Sequence, residues 1–243
     1  MHTEKALKEF YSSIESKRKR LGISNDPAWF RGHSHSIYEL IPSLFRIDGI
    51  RLVDEKNIFN TFITEGRAHV GMPKDAWGIL ALMQHYNVPT RLLDWTDSLH
   101  VALFFALKFT DHYNPHIWIL NPYRLNAHIN EEDRIIYGDM DELKFDYYSQ
   151  VKSGKWEREF PIAIAPSWNS ARLTAQRGYF TVHGGRQESI NKMYKKCVSK
   201  VNIPEIIIPR LLEELEHSGT DEARMFPDLE GLALSIRRRF NLS

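Results

Sequence analysis

The sequence predicts an α+β fold: a single domain with a mixed, mainly antiparallel β core flanked by helices. Three observations carry this. Helical and strand-like segments are mixed without the regular βαβ rhythm of a doubly wound sheet. The strand-like segments are short apolar runs closed by turn residues, as where Asn121-Pro122 stops His116–Leu120. A chain of 243 residues with 42% hydrophobic and 26% charged residues has the length and composition of one large globular domain.

The elements follow in order. Leu7, Phe10, Tyr11 and Ile14 share one face and make residues 3–20 a surface helix. The breaker SNDPAW separates it from a short strand opened by Trp29-Phe30 and running into Arg31-Gly32. Residues 51–69 read as helical, with Ile58, Phe62 and His69 on the face. Asp75 is placed to cap a helix from Ala76 to Tyr86, which ends before Pro89. Gln84–Ser98 then reads as a connection into a second helix, Ser98 to Tyr113, apolar nearly all round and therefore central. His116–Leu120 is a buried strand. Residues 123–160 are polar, charged and tyrosine-rich, and read as a surface excursion; Tyr137, Tyr147 and Tyr148 would suit a lid, and a solvated insertion fits equally. Phe160–Ala165, Gly178–Val182 and Val201–Ile208 read as strands, the last ended by Pro209. Arg210–His217 is a helix. The last helix starts near Asp228, with Leu229, Leu232, Ala233 and Ile236 on its apolar face.

Composition removes several classes. The net charge of +1 gives no field to recruit nucleic acid or an anionic membrane. Cys197 is the only cysteine, which excludes an intramolecular disulfide and a thiolate zinc cluster and fits a reducing compartment. The N-terminal segment lacks the apolar core of a signal peptide, and the run Val101–Leu107 is short against the roughly 20 residues that cross a bilayer. The expectation is a cytoplasmic protein without membrane contact.

There is no P-loop, no G-x-G-x-x-G and no G-x-S-x-G. His33 and His35 share a strand face and offer two metal ligands, but no third lies nearby, and hydrogen-bonded histidines are the simpler reading; no metal is expected. The basic runs Lys17–Arg20 and Arg237–Arg239 fall at helix C-termini, where they complement the dipole; a nucleic-acid contact is the alternative. The densest chemistry is QHYNVPTRLLDWTDS, Gln84 to Ser98. Asp94, Thr96 or Ser98 could cap the helix that follows, whose N-terminal amides favour an anion. Arg91 would clamp that anion, with Trp95 as a wall. Equally, Arg91 pairs with Asp94 as a buried polar plug.

WFRGHS (Trp29–Ser34), LALMQHYNVPTRLLDWTDSLHVALFFAL (Leu80–Leu107), ARLTAQRGYFTVHG (Ala171–Gly184) and ARMFPDLEGLALSI (Ala223–Ile236) occur in that order. Together they resemble the FRG domain family, whose Phe-Arg-Gly stands here as Phe30-Arg31-Gly32. The resemblance spans about residues 28–240. It assigns 1–27 to an N-terminal helix and linker and 28–243 to the domain.

More loosely, the pattern resembles ADP-ribosyltransferase-like folds. Phe30-Arg31-Gly32 stands where such folds hold the NAD phosphates or ribose. Asp94 to Ser98, followed by HVALFFA, stands where they offer hydroxyls. Gln176-Arg177-Gly178 leads into YFTV where they place a catalytic Glu. This resemblance implies a site in which Arg31, His33, His85, Tyr86, Arg91, Trp95, Thr96 and Ser98 bind NAD, and Asp94, Gln176 and Arg31 act in catalysis. It further implies transfer of ADP-ribose to a macromolecular acceptor, or NAD hydrolysis, in a bacterial toxin, effector or phage-defence setting. The sequence departs at Gln176: an amide can hold a ribose hydroxyl but lacks the charge that stabilises an oxocarbenium ion, so Asp94 becomes the leading charged group. A non-catalytic module binding a nucleotide or nucleic acid is the alternative. A hydrolase or nuclease using the histidines, with or without metal, is the third.

Overall fold

The computed structural model describes residues 2–23, 26–73, 75–108, 113–130, 133–137, 147–153, 156–166, 170–240 and 242. Among them no helix is long and apolar enough to cross a membrane.

Helix α1 (His2–Arg20) buries Leu7, Phe10 and Ile14, the three- and four-residue spacing that keeps one helix face inward. Of the breaker that follows, residues 24 and 25 lie outside the described residues. Strand β1 (Trp29–His33) comes next, then helices α2 (Leu52–Gly66) and α3 (Ala76–His85). The Asp75 side chain caps α3 by accepting from the Gly78 amide at 2.8 Å. Strand β2 (Leu92–Thr96), helix α4 (Leu99–Leu107) and strand β3 (His116–Leu120) follow, then α5 (Pro122–Asn130), β4 (Ile136–Tyr137), α6 (Tyr147–Ser153) and β5 (Ile162–Ala165). The chain continues through α7 (Ala171–Ala175), β6 (Gly178–Val182), α8 (Ile190–Met193) and β7 (Val198–Asn202). It closes with α9 (Ile208–His217), α10 (Glu222–Met225) and α11 (Leu229–Arg239).

The strands form one seven-stranded sheet in the order β4-β5-β6-β2-β1-β3-β7. It is antiparallel except where β4 runs parallel to β5. The expected α+β architecture, a mixed and mainly antiparallel sheet flanked by helices, is the one observed.

One junction differs from the rest. Strands β1 and β3 pair along their whole length, and so do β2 and β6. Strands β1 and β2 pair only at Phe30↔Thr96. The sheet therefore has a seam between its two halves. On one face each half has its own core. Helices α1, α4 and α9 cover Phe30, Ile117, Ile119 and Val201 on one side of the seam, and α2, α3 and α6 cover Leu92, Phe180, Ile162 and Ile164 on the other. On the opposite face a single core joins the halves through Trp29, Leu93, Trp95, Leu120 and Ala163. Each large side chain buried in these cores contributes about 1.5–3 kcal/mol relative to exposure.

Gly32 is fixed by packing. A Cβ there would lie 1.9 Å from the Ala102 carbonyl oxygen and 2.7 Å from the Ala106 nitrogen. Helix α4 thus rests its backbone directly on β1, which only the residue without a side chain allows.

Several expectations are corrected. Gln84–Ser98 is not a plain connection between helices; it contains β2, the central strand on which both halves meet. The second helix stops at Leu107; Tyr113 bridges to His35, and residues 109–112 lie outside the described residues. His69 lies beyond the end of α2 and is exposed. The run Glu205–Ile208 is not strand. Residues 205–207 form a 3-10 turn, and Pro209 sits in the first turn of α9, where its missing N–H is not needed. Of the 123–160 excursion, 131–132, 138–146 and 154–155 lie outside the described residues, and the described part is not all surface: Tyr147 is 1% exposed. On α11 the apolar stripe is turned outward, with Leu229 84% exposed. The helix packs instead through Gly231 and Ser235, because Gly231 approaches the Phe226 carbonyl too closely for any Cβ.

Candidate functional site

The seam opens into a cleft of about 450 Å³. Its walls come from the end of β1 (Arg31, His33, Ser34), the loop after it (Tyr38, Ser43, Arg46) and the end of α3 (Gln84, His85, Asn87). Strand β2 adds Asp94 and Thr96, α4 adds Phe105 and Lys108, and α7 with its C-terminal turn adds Ser170, Arg172 and Gln176. Period-two alternation on β2 decides which side chains take part. Leu92, Asp94 and Thr96 point to the cleft face, whereas Leu93 and Trp95 point into the opposite core.

Asp94 sits at the centre. Its carboxylate accepts from the Gln84 amide at 3.2 and 3.3 Å and lies 3.5 Å from Arg31 Nη1. Arg31 Nη1 also donates to the Asp94 backbone carbonyl at 2.7 Å, so a guanidinium bridges strands whose ladder has ended. The Thr90 hydroxyl donates to Gln84 Oε1 at 2.8 Å, which fixes the amide with its NH2 towards Asp94. Despite these partners the Asp94 side chain remains 53% exposed to the cleft.

His33 is a fixed neutral ring. Arg31 Nε donates to its Nε2 at 3.1 Å, and its Nδ1 lies 3.2 Å from the Tyr38 carbonyl, which sets that nitrogen as the donor. Burial, then Arg31 and His116, pull its pKa down to about 2. Both ring nitrogens are committed, so His33 orients Arg31. Among the described residues no group of three or more His, Cys, Asp or Glu could hold a metal ion.

The other charged side chains of the lining, Arg46, Lys108 and Arg172, are cations. Arg46 lies close enough to Arg31 to oppose its charge, with burial the larger effect and Asp94 counteracting it. Burial lowers the Arg172 pKa, opposed by Asp94, Asp228 and Glu230. Burial first and then Arg172 bring Lys108 down to about 8, opposed by Glu222. The electrostatic neighbours therefore run Arg46, Arg31, Asp94, Arg172, Lys108 across the cleft. Four cations face one carboxylate in a partly desolvated space, an arrangement that attracts a multiply charged anion.

The sequence-derived site divides accordingly. Arg31, His33, His85, Asp94, Thr96 and Gln176 line the cleft. Thr96 and Ser98 also order the start of α4: Thr96 Oγ1 accepts from the Ser98 amide at 3.1 Å and Ser98 Oγ from the Val101 amide at 3.4 Å. Ser98 and Tyr86 are not among the lining residues. Trp95 also lines the cleft, while its ring donates to Thr181 Oγ1 at 3.1 Å inside the opposite core. Arg91 is neither an anion clamp nor the partner of Asp94. It is buried against Glu55, donates to the His183 and Gly184 carbonyls at 2.8 and 3.1 Å, and stacks on Trp156 at 3.3 Å. Gln176 is the last residue of the α7 turn, two positions before β6, and its amide donates to the Met225 carbonyl at 2.9 Å. Sequence reading passed over Gln84, Arg46, Lys108 and Arg172. Gln84 and Arg172 stand inside the quoted motifs, but their partners lie 10 and 87 positions away.

Residues 26–114 match the sequence model of the FRG domain. The chain carries an FRG domain. No curated protein and no solved structure matches the chain. The FRG segment includes both lips of the seam, β1 and β2, and with them Arg31, Arg46, Gln84, Asp94 and Lys108; Arg172 and Gln176 come from beyond it.

Proposed function

We propose that the FRG-domain cleft binds NAD or a closely related dinucleotide and cleaves its nicotinamide–ribose bond, passing ADP-ribose to water or to a macromolecular acceptor. The observation that carries this reading is Asp94: one half-exposed carboxylate, aimed by Gln84 and Arg31, at the middle of a row of cations. Arg31 and Arg46 would hold the pyrophosphate. As the C–N bond breaks, its electron pair leaves with nicotinamide. The ribose cation is stabilised by the Asp94 carboxylate, and the incoming water or acceptor oxygen releases its proton to solvent. Gln176, tied to Met225, is a positioning residue on the wall.

The second reading is a nucleotide-binding module without turnover. It is favoured by the contact between Asp94 and Arg31, which offsets part of the carboxylate's charge. Proton NMR for free nicotinamide, on purified protein with NAD and with cell extract as an acceptor source, separates the two. Release by the wild type that disappears in Asp94→Ala and Arg31→Ala, both folded, supports the enzyme. Binding of NAD by calorimetry without release supports the module.

A further inference from the structure

The row of cations is longer than a pyrophosphate needs. Arg31 and Arg46 stand at one pole; Asp94 and Gln84 occupy the middle. At the other pole Lys108 comes from the C-terminus of α4 and Arg172 from α7, and both lie over the same ring. Lys108 Nζ is 5.0 Å from the Phe226 centroid and 4.9 Å from that of Phe105, and Arg172 Cζ is 4.7 Å from Phe226. Two like charges are thus gathered around one aromatic ring, where burial acts against both charged forms and Arg172 acts against that of Lys108.

Two of the carboxylates acting on this pair have other contacts as well. Glu222, the acid that opposes the shift of Lys108, pairs with Arg238 at 3.2 Å. Asp228, which acts on Arg172, also caps α11 and lies 3.9 Å from His85. Glu230 and Asp94 complete the acids acting on Arg172. A doubly charged anion between Lys108 and Arg172 would offset the burial of both and the repulsion acting on Lys108, and the rings would shield it from water.

We infer that Lys108 and Arg172, around Phe226, form a phosphomonoester subsite, so that the cleft prefers a dinucleotide carrying a phosphate beyond its pyrophosphate. The inference rests on the dinucleotide reading above and names the class within it.

Calorimetry at pH 7 tests it with four probes: NAD, NADP, ADP-ribose and 2′-phospho-ADP-ribose. The wild type is expected to bind each phosphorylated form at least about tenfold more tightly than its partner, the scale of one or two charge-assisted hydrogen bonds. In Lys108→Met, which keeps an apolar stem over the rings, and in Arg172→Gln, that advantage falls below about twofold, because each variant loses more affinity for the phosphorylated forms than for NAD and ADP-ribose. Arg31→Gln weakens all four probes alike. Equal affinity of the wild type for both forms overturns the subsite and leaves the dinucleotide reading standing, as does a preference that survives both variants. Absence of binding by every probe overturns both.

Discussion

Arg91 gives the sharpest test of structure against sequence pattern, because its motif suggests a ligand clamp and its surroundings make it a strut. Its side chain is 3% exposed and that of Glu55 is 5%. Both oxygens of Glu55 are engaged, one of them also by the Tyr147 hydroxyl at 3.0 Å. Arg91→Met would leave that carboxylate buried, with Tyr147 its remaining partner among the described residues, and would strip a donor from the His183 and Gly184 carbonyls. Breaking one side of such a pair costs about 3–5 kcal/mol. In a domain of this size each kcal/mol moves the Tm by about 2–4 °C, so the midpoint should fall by about 6–20 °C. Glu55→Gln should fall in the same direction. The double variant Glu55→Leu/Arg91→Met should recover a large part of the loss, because no charge is left buried alone. Urea and thermal unfolding of the wild type, the singles and the double measure the cycle. Single variants within about 1 kcal/mol of wild type would refute the strut, as would an Arg91→Met protein of full stability that no longer binds nucleotide.

Gly32→Ala should destabilise through overlap alone. Its new methyl group meets the backbone of α4 at Ala102 and Ala106 rather than a yielding side chain, at about 1–3 kcal/mol or more; an unchanged urea midpoint would show that α4 does not rest on β1. Acid should unfold the protein steeply. His33, His116 and His183 are held neutral in the fold with pKa values of about 2, 4 and 3, against 6.5 when unfolded, with burial the first cause in each. Below pH 6.5 the unfolded chain binds protons that the folded chain refuses, so stability falls as pH drops from about 6 towards 4, by about 1.4 kcal/mol per pH unit per histidine. Urea titrations across that range should show the slope, and His116→Asn should reduce it by about a third. Lys108 works at the other end: with a folded pKa of about 8 it is neutral in the fold and charged in the unfolded chain between pH 8 and 10.5. Stability should therefore gain from it as pH rises through that window, a gain absent in Lys108→Met, while any preference for an extra phosphate should fade above pH 8.

The parts legible in the sequence are those whose signal is local. The 3.6-residue spacing of Leu7, Phe10 and Ile14, the cap at Asp75, the strand at His116–Leu120 and the opening of β1 at Trp29 all stand as read. Strand β2 was hidden because both its faces carry bulk: Leu92 packs in one core while Leu93 and Trp95 pack in another, and Asp94 within it and Pro89 and Asp97 beside it look like turn chemistry. The β-branched run Ile206–Ile208 outweighed the helical meaning of Pro209. The outward stripe of α11 follows from a glycine contact that no periodicity encodes. Within the site, Arg31 and Asp94 were legible because their motifs are dense. Arg91's true partner, Glu55, lies 36 residues earlier on a helix face that shows no sign of it.

The seam also bears on where the molecule could be divided. The FRG match, 26–114, contains β1 and β2 but neither β3 nor β6, the neighbours that pair along each of them. Released alone, that segment would hold two strands sharing a single register position, each with its outer ladder stripped. Exposed strand edges of that kind recruit other chains before they find one another. The stretch most readily recognised in sequence is therefore not an autonomous folding unit. Its two strands are brought to face each other by elements that arrive later in the chain, and the cleft between them exists only once residues beyond 114 have closed the sheet on both sides.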